Sequence, residues 1–172
     1  PETVARADRT VLPGVGAFAD CKRGLDAVAG MRGVMEDVVR RQGRPFLGIC
    51  VGMQLMAARG LEFEVTDGLG WIPGDVTAIV PNDPALKIPH MGWNSLEALI
   101  ADPLLAGLGT RDYVYFVHGY AAPPGPDTLA CVDYGAALSA VVRRGNFRGV
   151  QFHPERSGAV GARVLRNFLE IA

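Results

Sequence analysis

The chain has 172 residues, of which 49% are hydrophobic, and its formal net charge is −1. This length suits one domain with a hydrophobic core, and the near-neutral charge predicts no binding to nucleic acid. No apolar run approaches the ~18 residues of a membrane-spanning helix, and the first residues lack a signal-peptide pattern. Three cysteines without metal-ligand spacing indicate a reducing compartment and no metal site. Cys21 lies in a helical pattern and Cys131 in an apolar run, so both are expected to be buried and inert.

Apolar runs and glycine or proline turns predict alternating strands and helices in the first third of the chain. They are a strand at 10–12, a helix from 18 to about 42, a strand at 45–49 and a helix over 51–59. The continuous apolar character of 45–49 is typical of a strand buried in a parallel sheet.

The middle of the chain contains six short strand candidates between Gly, Pro, Asn and Asp turns, which favours antiparallel pairing. These candidates lie at 75–80, 87–91, 112–117, 129–134, 138–142 and 149–152, and an amphipathic helix is predicted over 159–171. The sequence therefore predicts one α/β domain over residues 1–172, with a mixed central sheet and antiparallel strands in the middle of the chain.

A cysteine between two glycines follows the predicted strand at 45–49, in Gly48-Ile49-Cys50-Val51-Gly52. Gly-x-Cys-x-Gly is the cysteine counterpart of the nucleophile elbow, in which the nucleophile lies on a strained turn from strand to helix. The turn requires neighbours with almost no side chain, and the helix N-terminus behind the sulfur favours its thiolate. The alternative is that Cys50 is a small buried hydrophobic residue.

His153-Pro154-Glu155 contains the base and the orienting carboxylate that a thiol nucleophile requires. In an extended backbone, residues two apart face the same side, and Pro154 restricts the segment. Glu155 can then accept a hydrogen bond from one imidazole nitrogen while the other faces Cys50. The alternative is a surface histidine near a strand end, but the two motifs together favour a Cys50–His153–Glu155 triad.

These motifs resemble those of the class I (triad) glutamine amidotransferases, which hydrolyse glutamine and pass the ammonia to a synthase. Further motifs narrow the resemblance to the glutaminase subunits of imidazole glycerol phosphate synthase. They are Leu-Pro-Gly-Val-Gly-Ala-Phe at 12–18, Gly-Leu-Gly-Trp-Ile-Pro-Gly at 68–74, Pro-His-Met-Gly-Trp-Asn at 89–94, Tyr-Phe-Val-His at 115–118 and Gln-Phe-His-Pro-Glu-Arg-Ser-Gly at 151–158. The resemblance runs in order from about 11 to 169 and implies a flavodoxin-like three-layer fold.

The resemblance assigns a role to each member of the triad. Cys50 attacks the side-chain amide of glutamine and forms a γ-glutamyl thioester. His153 takes the thiol proton, returns a proton to the departing ammonia and then activates water. Glu155 holds the imidazole in place. The resemblance implies a cytoplasmic enzyme that uses no metal or organic cofactor.

The tetrahedral intermediate needs backbone N–H donors, and the resemblance assigns one of them to Val51. A second comes from the Pro-Gly-Val-Gly turn, at Val15 or its neighbour Gly14. Glycines suit this turn because they let a peptide rotate at little steric cost. The alternative is an ordinary turn at the exit of a strand.

The resemblance also assigns contacts with the substrate glutamine to Gln54, Gly52, Gly119 and Tyr120. Gln54 lies one predicted helical turn after Cys50, although a glutamine on a solvated helix face is common. Gly119 stands where the family usually has Ser or Thr, so a contact from this position is limited to the backbone. His118 and His90 each fit a structural histidine within a strand.

A heterodimer with a cyclase subunit, itself a (β/α)8 barrel, is implied by the resemblance, and its interface is expected at Trp93, Asn94 and Arg156. Trp93 is either an interface anchor or a core residue. Arg156 replaces the usual Lys and keeps the charge but not the compact shape.

The family normally begins with a strand, a helix and a second strand before the Pro-Gly-Val-Gly turn, so about that much is expected to be missing at the N-terminus. Two alternatives therefore stand beside the enzyme of imidazole glycerol phosphate synthesis. The first is a glutaminase that feeds another class I synthase, and the second is a truncated chain without catalytic activity.

Overall fold

The computed structural model describes residues 1–171, in which eleven strands and five α-helices are formed. The helices are α1 Glu2–Arg6, α2 Phe18–Ala27, α3 Met31–Met35, α4 Val51–Gln54 and α5 Gly158–Glu170, with a π-helical segment at Glu36–Arg41 and single 3₁₀ turns at Pro103–Leu105 and Pro154–Arg156. The strands are β1 Thr10–Gly14, β2 Phe46–Cys50, β3 Arg59–Gly60, β4 Thr66–Asp67, β5 Asp75–Ala78, β6 His90–Ser95, β7 Tyr113–His118, β8 Tyr120–Ala121, β9 Thr128–Asp133, β10 Ala137–Arg144 and β11 Phe147–Val150.

The central sheet has the strand order β1-β2-β11-β10-β9 and is mixed, as predicted. β1, β2 and β11 are parallel, whereas β10 is antiparallel to both β11 and β9. The register pairs Gly14 with Cys50 and Val150 with Ile49. The carboxyl ends of three parallel strands therefore lie at one edge of the sheet, where ligand sites of open α/β sheets are found.

Both faces of the central sheet are covered, which gives the three-layer α/β architecture. Phe46 packs on one face with Phe147 and Trp71, whose ring meets Phe46 edge-on at 5.0 Å. Leu47, the next residue of β2, belongs to the core on the other face, together with Phe168 of α5. Successive residues of a strand point to opposite faces, so the apolar run of β2 supplies both cores.

Two smaller sheets complete the middle of the chain. β6 and β7 pair antiparallel over six residues, with His90 opposite His118 and Ser95 opposite Tyr113. The other sheet has the order β4-β3-β5-β8. The predicted antiparallel pairing is confirmed for β6 with β7, for β10 with β9 and β11, and for β5 with β8. It is wrong for β11 with β2 and for β5 with β3, which are parallel pairs.

The single helix predicted over 18–42 is wrong, because the segment is divided into α2, α3 and the π-helical turns. Gly30 adopts φ 76° between the first two parts, and Val28 is extended at ψ 102°. Glycine reaches this left-handed conformation without a steric penalty, so the hydrophobic periodicity continues while the helix axis does not.

The helix predicted over 51–59 ends much earlier, at Gln54. The carbonyls of Leu55 and Met56 accept hydrogen bonds from Leu69 and Trp71, at 2.7 and 2.9 Å. Because these carbonyls bond to a distant loop, they cannot accept from the next turn of a helix. Local periodicity does not reveal this competition.

Differences elsewhere concern element boundaries and the first residues. The strand predicted at 87–91 begins only at His90, and residues 2–6, which carried no assignment, form α1. The amphipathic helix over 159–171 is confirmed as α5 to within one residue at each end. The expected absence of an N-terminal strand–helix–strand stays a prediction. Within residues 1–171, no helix combines the length and apolar character needed to cross a bilayer.

Close packing around Gly52 generates a test of the fold. A Cβ at this position would overlap the Leu12 carbonyl oxygen of β1, so Gly52→Ala should destabilise the protein by ~3 kcal/mol or more. Gly24 lies inside α2 with open space around its Cα, so Gly24→Ala should stabilise the protein by ~0.5–1 kcal/mol. Urea unfolding of both variants measures the two effects, and equal stability of Gly52→Ala and the wild type would contradict the packing.

Candidate active site

Cys50 occupies a strained turn between β2 and α4. Its φ of 54° and ψ of −115° lie outside the conformations that ordinary residues adopt. A Cβ on Gly48 would lie 2.6 Å from the Gly52 carbonyl oxygen, so the turn leaves no room for a side chain there. The geometry is that of the nucleophile elbow predicted from Gly-x-Cys-x-Gly.

The electrostatics of Cys50 differ from the sequence-based expectation. Burial raises the pKa of the thiol to about 11, against hydrogen bonds from the Val51 backbone N–H and the Gln151 side chain, which favour the thiolate. The nearby Glu155 carboxylate also raises this pKa. The four-residue helix α4 provides too little compensation, because only 4% of Cys50 is exposed to water. In the structure the resting thiol is therefore protonated at neutral pH.

His153 and Glu155 are joined as predicted, by a hydrogen bond of 2.7 Å between Nδ1 and Oε1. The backbone reason differs, because residues 154–156 form a 3₁₀ turn and not an extended segment. The backbone of His153 is also fixed. Its backbone N–H donates to the Tyr115 carbonyl at 2.9 Å, and its backbone carbonyl accepts from the Ser157 hydroxyl at 2.6 Å. The imidazole is thus fixed through both its side chain and its backbone.

The other imidazole nitrogen of His153, Nε2, is buried and has no hydrogen-bond partner within residues 1–171. His153 and Cys50 line the same cavity of about 240 Å³, and no direct hydrogen bond joins them there among the described residues. A buried imidazole nitrogen without a partner, with its opposite nitrogen on a carboxylate, is the arrangement of a general base awaiting its proton donor.

The cavity brings together most of the residues that the sequence assigned to the site. Besides Cys50 and His153, its wall contains the following predicted residues: Val15, Val51, Gln54, Gly119 and Tyr120. It also contains Glu62, Pro89 and Val117, which the sequence analysis did not single out.

Three residues assigned to catalysis, to the oxyanion hole or to substrate contacts do not line the cavity: Glu155, which bonds to His153 Nδ1, and the glycines Gly52 and Gly14. Gly52 is buried beneath Leu12 of β1, where the lack of a side chain permits close packing, and its assigned contact with the substrate stays a prediction. A Cβ on Gly14 would lie 3.0 Å from the Gly52 nitrogen and the Val51 Cβ, so Gly14 also permits close approach of β1 to the elbow.

Val15 and Gly16 extend past the end of β1 towards the cavity. Val15 is 84% exposed, and its carbonyl accepts a hydrogen bond from Cys21 Sγ at 3.4 Å. Gly16 adopts φ 109°, which favours glycine. Cys21 and Cys131 are partly exposed, so the expectation that both are buried is wrong.

Gln54 belongs to a buried polar network rather than to a solvated helix face. Its side chain is 4% exposed, and Nε2 donates to the Tyr120 carbonyl at 2.9 Å. The same carbonyl accepts from His118 Nδ1 at 2.9 Å. Tyr120 thereby connects the floor of the cavity with the histidine of β7.

His90 and His118 form a buried pair, with 3.1 Å between Nδ1 of His90 and Nε2 of His118. His90 is stacked between Phe116 and Tyr134, at centroid distances of 4.8 and 4.0 Å. Burial lowers the pKa of both histidines to about 4, so both are neutral at physiological pH. His90 is thus structural, whereas His118 also reaches the wall of the cavity.

The predicted interface residues lie on the β6–β7 sheet and the turn beside it. Trp93 is 55% exposed and meets Tyr115 edge-on at 6.0 Å, while the Arg156 guanidinium lies 4.6 Å above the Tyr115 ring. Trp93 is therefore not a core residue. The Asn94 side chain is engaged internally, since its Nδ2 donates to the Asp133 carbonyl at 2.9 Å.

Sequence reasoning missed Glu62, Gln151 and Tyr115. Glu62 lies in a loop without periodic signal, and Gln151 was quoted only as part of the His-Pro-Glu motif. Tyr115 is the first residue of the Tyr-Phe-Val-His motif, and its role beside Trp93 depends on the pairing of β6 with β7. Within residues 1–171, no cluster of three or more His, Cys, Asp or Glu side chains has the arrangement to hold a metal ion.

Comparisons with known proteins identify strong similarities. A model of the family "Glutamine amidotransferase class-I" matches residues 4–172. Imidazole glycerol phosphate synthase subunit HisH of Cereibacter sphaeroides is 53% identical over 171 residues, which cover 98% of this chain and 81% of that protein. The subunit HisH of Mesorhizobium japonicum is 55% identical over 173 residues, covering 98% and 80%.

The fold is also similar to solved structures of lower sequence identity. A chain of PurLQS from Thermotoga maritima superposes with a TM-score of 0.64 at 19% identity, covering 93% of this chain and 78% of that one. The glutaminase domain of Trypanosoma brucei CTPS gives a TM-score of 0.62 at 16% identity, covering 99% and 74%. At these identities the similarity concerns the fold alone.

The neutral His90–His118 pair predicts a pH dependence of stability. In the unfolded chain, both histidines have an ordinary pKa near 6.5, whereas in the folded chain it is about 4. Between these values the unfolded state binds more protons, so stability is present above pH ~6.5 and is lost as the pH falls towards 4. The double variant His90→Gln, His118→Gln should have a flatter dependence in this window.

Urea unfolding at half-unit steps from pH 7.5 to 4 measures this dependence. The lowered pKa of the Asp102 carboxyl, which is held by Arg148 despite its burial, places its own contribution at lower pH. Parallel loss of stability by the wild type and the double variant between pH 6.5 and 4.5 would show that the pair is not responsible.

Proposed function

Because the chain belongs to the class-I glutamine amidotransferase family, among the imidazole glycerol phosphate synthase subunits HisH, we propose that it hydrolyses glutamine to glutamate and ammonia. The ammonia is supplied to a cyclase subunit in histidine biosynthesis. One observation carries the catalytic assignment: His153, oriented by Glu155 at 2.7 Å, keeps an unpartnered Nε2 in the cavity of the Cys50 elbow. The chain is thus an enzyme subunit with a thiol nucleophile.

The proposed reaction begins with proton transfer from Cys50 Sγ to His153 Nε2. The thiolate attacks the side-chain carbonyl carbon of glutamine, and the protonated imidazole returns its proton to the departing ammonia. Water, activated by the now neutral His153, then cleaves the thioester and releases glutamate. Glu155 stabilises the imidazolium and keeps Nδ1 as the protonated nitrogen. Only protons and an acyl group move, so the proposed steps draw on no metal or organic cofactor.

The raised pKa of Cys50 is compatible with this order of events. A thiol with a pKa of about 11 is inert towards solvent at neutral pH. The thiolate is instead formed beside its proton acceptor, where the positive charge of the imidazolium offsets its negative charge. The resting protein is therefore protected from unproductive alkylation or oxidation of the nucleophile.

The oxyanion of the tetrahedral intermediate requires donors next to Cys50. We assign one to the Val51 N–H, which already faces the sulfur, and the second to the turn at Val15 and Gly16. One such donor contributes roughly 3–4 kcal/mol to the transition state.

The cavity wall also matches the two ends of glutamine. The side-chain amide lies at Cys50, and the α-ammonium group finds an anion in Glu62, whose Oε2 accepts a hydrogen bond from the Phe18 N–H. We assign further contacts to Gln54 and to the backbone of Gly119 and Tyr120. Residues 1–172 form one amidotransferase domain in this proposal.

The proposed partner is the cyclase subunit of a cytoplasmic heterodimer. The cluster of exposed Trp93 and Arg156 around partly exposed Tyr115 supports this interface, because it combines two aromatic rings with a cation beside the catalytic turn. Aromatic and arginine side chains are the residue types most often found as binding anchors. Arg156 directly follows Glu155 in the sequence, so this cluster includes a residue that is adjacent to the catalytic triad along the chain.

Removal of the nucleophile tests the activity. Cys50→Ala should abolish glutamate release in the presence of the cyclase, a loss of at least roughly 10⁴-fold, whereas Cys131→Ala should retain it. Coupled glutamate dehydrogenase detection, with and without the cyclase and its ribonucleotide substrate, measures the rates. Full turnover by Cys50→Ala would overturn the assignment.

The interface is tested by truncating its aromatic anchor. Trp93→Ala should raise the Kd for the cyclase about thirtyfold, which corresponds to ~2 kcal/mol. Leu169→Ala on α5 is the matched control, because Leu169 is similarly exposed at 64% but lies away from the cluster. Calorimetric titration measures both, and an unchanged Kd for Trp93→Ala would place the interface elsewhere.

A further inference from the structure

Gln151 is fully buried and has no part in the proposed steps, yet it lies against the nucleophile. Its side-chain Nε2 is 3.8 Å from Cys50 Sγ, and its Oε1 is 3.1 Å from Gln54 Nε2. Gln54 continues to the Tyr120 carbonyl at 2.9 Å. A continuous polar chain therefore runs from a backbone carbonyl to the reactive sulfur.

The direction of every hydrogen bond in this chain is fixed by its first member. The Tyr120 carbonyl can only accept, so the atom of Gln54 that faces it must be the amino group. The second hydrogen of that amino group points to Gln151, which must present its oxygen. The amino group of Gln151 is then left to face Cys50 Sγ and can only donate to it.

The position of Gln151 is set independently of this chain. Its backbone N–H donates to the Ala140 carbonyl at 2.8 Å, and the preceding residue, Val150, pairs with Ile49 of β2. The central sheet therefore holds the side chain at the sulfur. A donor that needs no rearrangement when the charge forms is more effective than one that must first be ordered.

We propose that Gln151 stabilises the Cys50 thiolate by donating a hydrogen bond to Sγ, and that Gln54 is a positioning residue that fixes the direction of this donation from the Tyr120 carbonyl. Together with the Val51 N–H, Gln151 gives the buried sulfur two donors. The proposal deepens the proposed function and rests on it, because it concerns the same nucleophile.

Several other titratable groups surround the sulfur and share its pH dependence. His153, His118 and Glu62 line the same cavity, and the charges of Glu155 and Cys21 disfavour the thiolate. Substitution of Gln151 leaves all five groups in place. A change in the titration of Cys50 after such a substitution therefore reports the lost donor.

The test compares Gln151→Met, which has similar length but no amide, with Gln42→Met as the matched control. Gln42 is exposed, donates to Asp37 at 2.7 Å and does not line the cavity. The rate of Cys50 alkylation by iodoacetamide is measured on the full chain from pH 7 to 10 by mass spectrometry of the Cys50 peptide. Gln151→Met should react roughly tenfold more slowly at each pH below the pKa, which corresponds to a shift of about one unit. Gln42→Met should coincide with the wild type.

Two further variants, Gln151→Glu and Gln54→Met, extend the alkylation test, which requires no glutamine turnover. Gln151→Glu preserves the shape and the acceptor for Gln54 but places a carboxylate at the sulfur, so it should slow alkylation more than Gln151→Met. Gln54→Met should cause a smaller shift in the same direction.

With glutamine and the cyclase, Gln151→Met should lower kcat about tenfold and leave KM nearly unchanged.

Alkylation profiles that coincide with the wild type in folded Gln151→Met or Gln151→Glu would overturn the inference. The alkylation assay does not need a substrate. If the variants show these shifts but the wild-type chain releases no glutamate with the cyclase, the proposed function is rejected while the hydrogen-bond donor stands.

Discussion

Three parallel strands that end at one edge of the central sheet determine the geometry of the site. β1 leads into the turn at Val15, β2 ends at Cys50, and β11 leads through Gln151 to His153. Because neighbouring strands lie about 4.8 Å apart, these groups reach one small cavity without long loops. None of the described residues of β9 or β10 lines that cavity, so the antiparallel half of the sheet supports the site from a distance.

Small residues make this convergence possible. Gly48 and Gly52 lie where the end of β2, the start of α4 and β1 approach each other too closely for a Cβ, and at Gly14 a Cβ would be in tight contact. The strain at Cys50 persists because the surrounding backbone is packed against itself and cannot relax around it. The glycines on either side of Cys50 thus contribute through close packing of the backbone.

The sequence predicted well those features that are encoded locally. The strands at β1 and β2, the terminal helix α5, the elbow and the His153–Glu155 pair all follow from short patterns with a clear physical reason. The failures arose where distant contacts override a local pattern. The helix after Cys50 stops because carbonyls of residues 55 and 56 bond to residues 69 and 71. Gln54 and Gln151, 97 residues apart, meet only in the folded chain, so no periodicity could reveal the donor at the sulfur.

The Tyr120 carbonyl has a consequence for how a ligand is oriented. An sp² oxygen has two lone pairs, and here Gln54 and His118 occupy both. The oxygen is saturated, so a substrate ammonium group gains nothing by approaching it. Both hydrogens of the Gln54 amide are also engaged, so this side chain can offer only its oxygen, and the Glu62 carboxylate and His153 Nε2 are further acceptors in the wall. The protein's internal hydrogen bonds thus determine which polar atoms of the cavity wall remain free to bind a ligand.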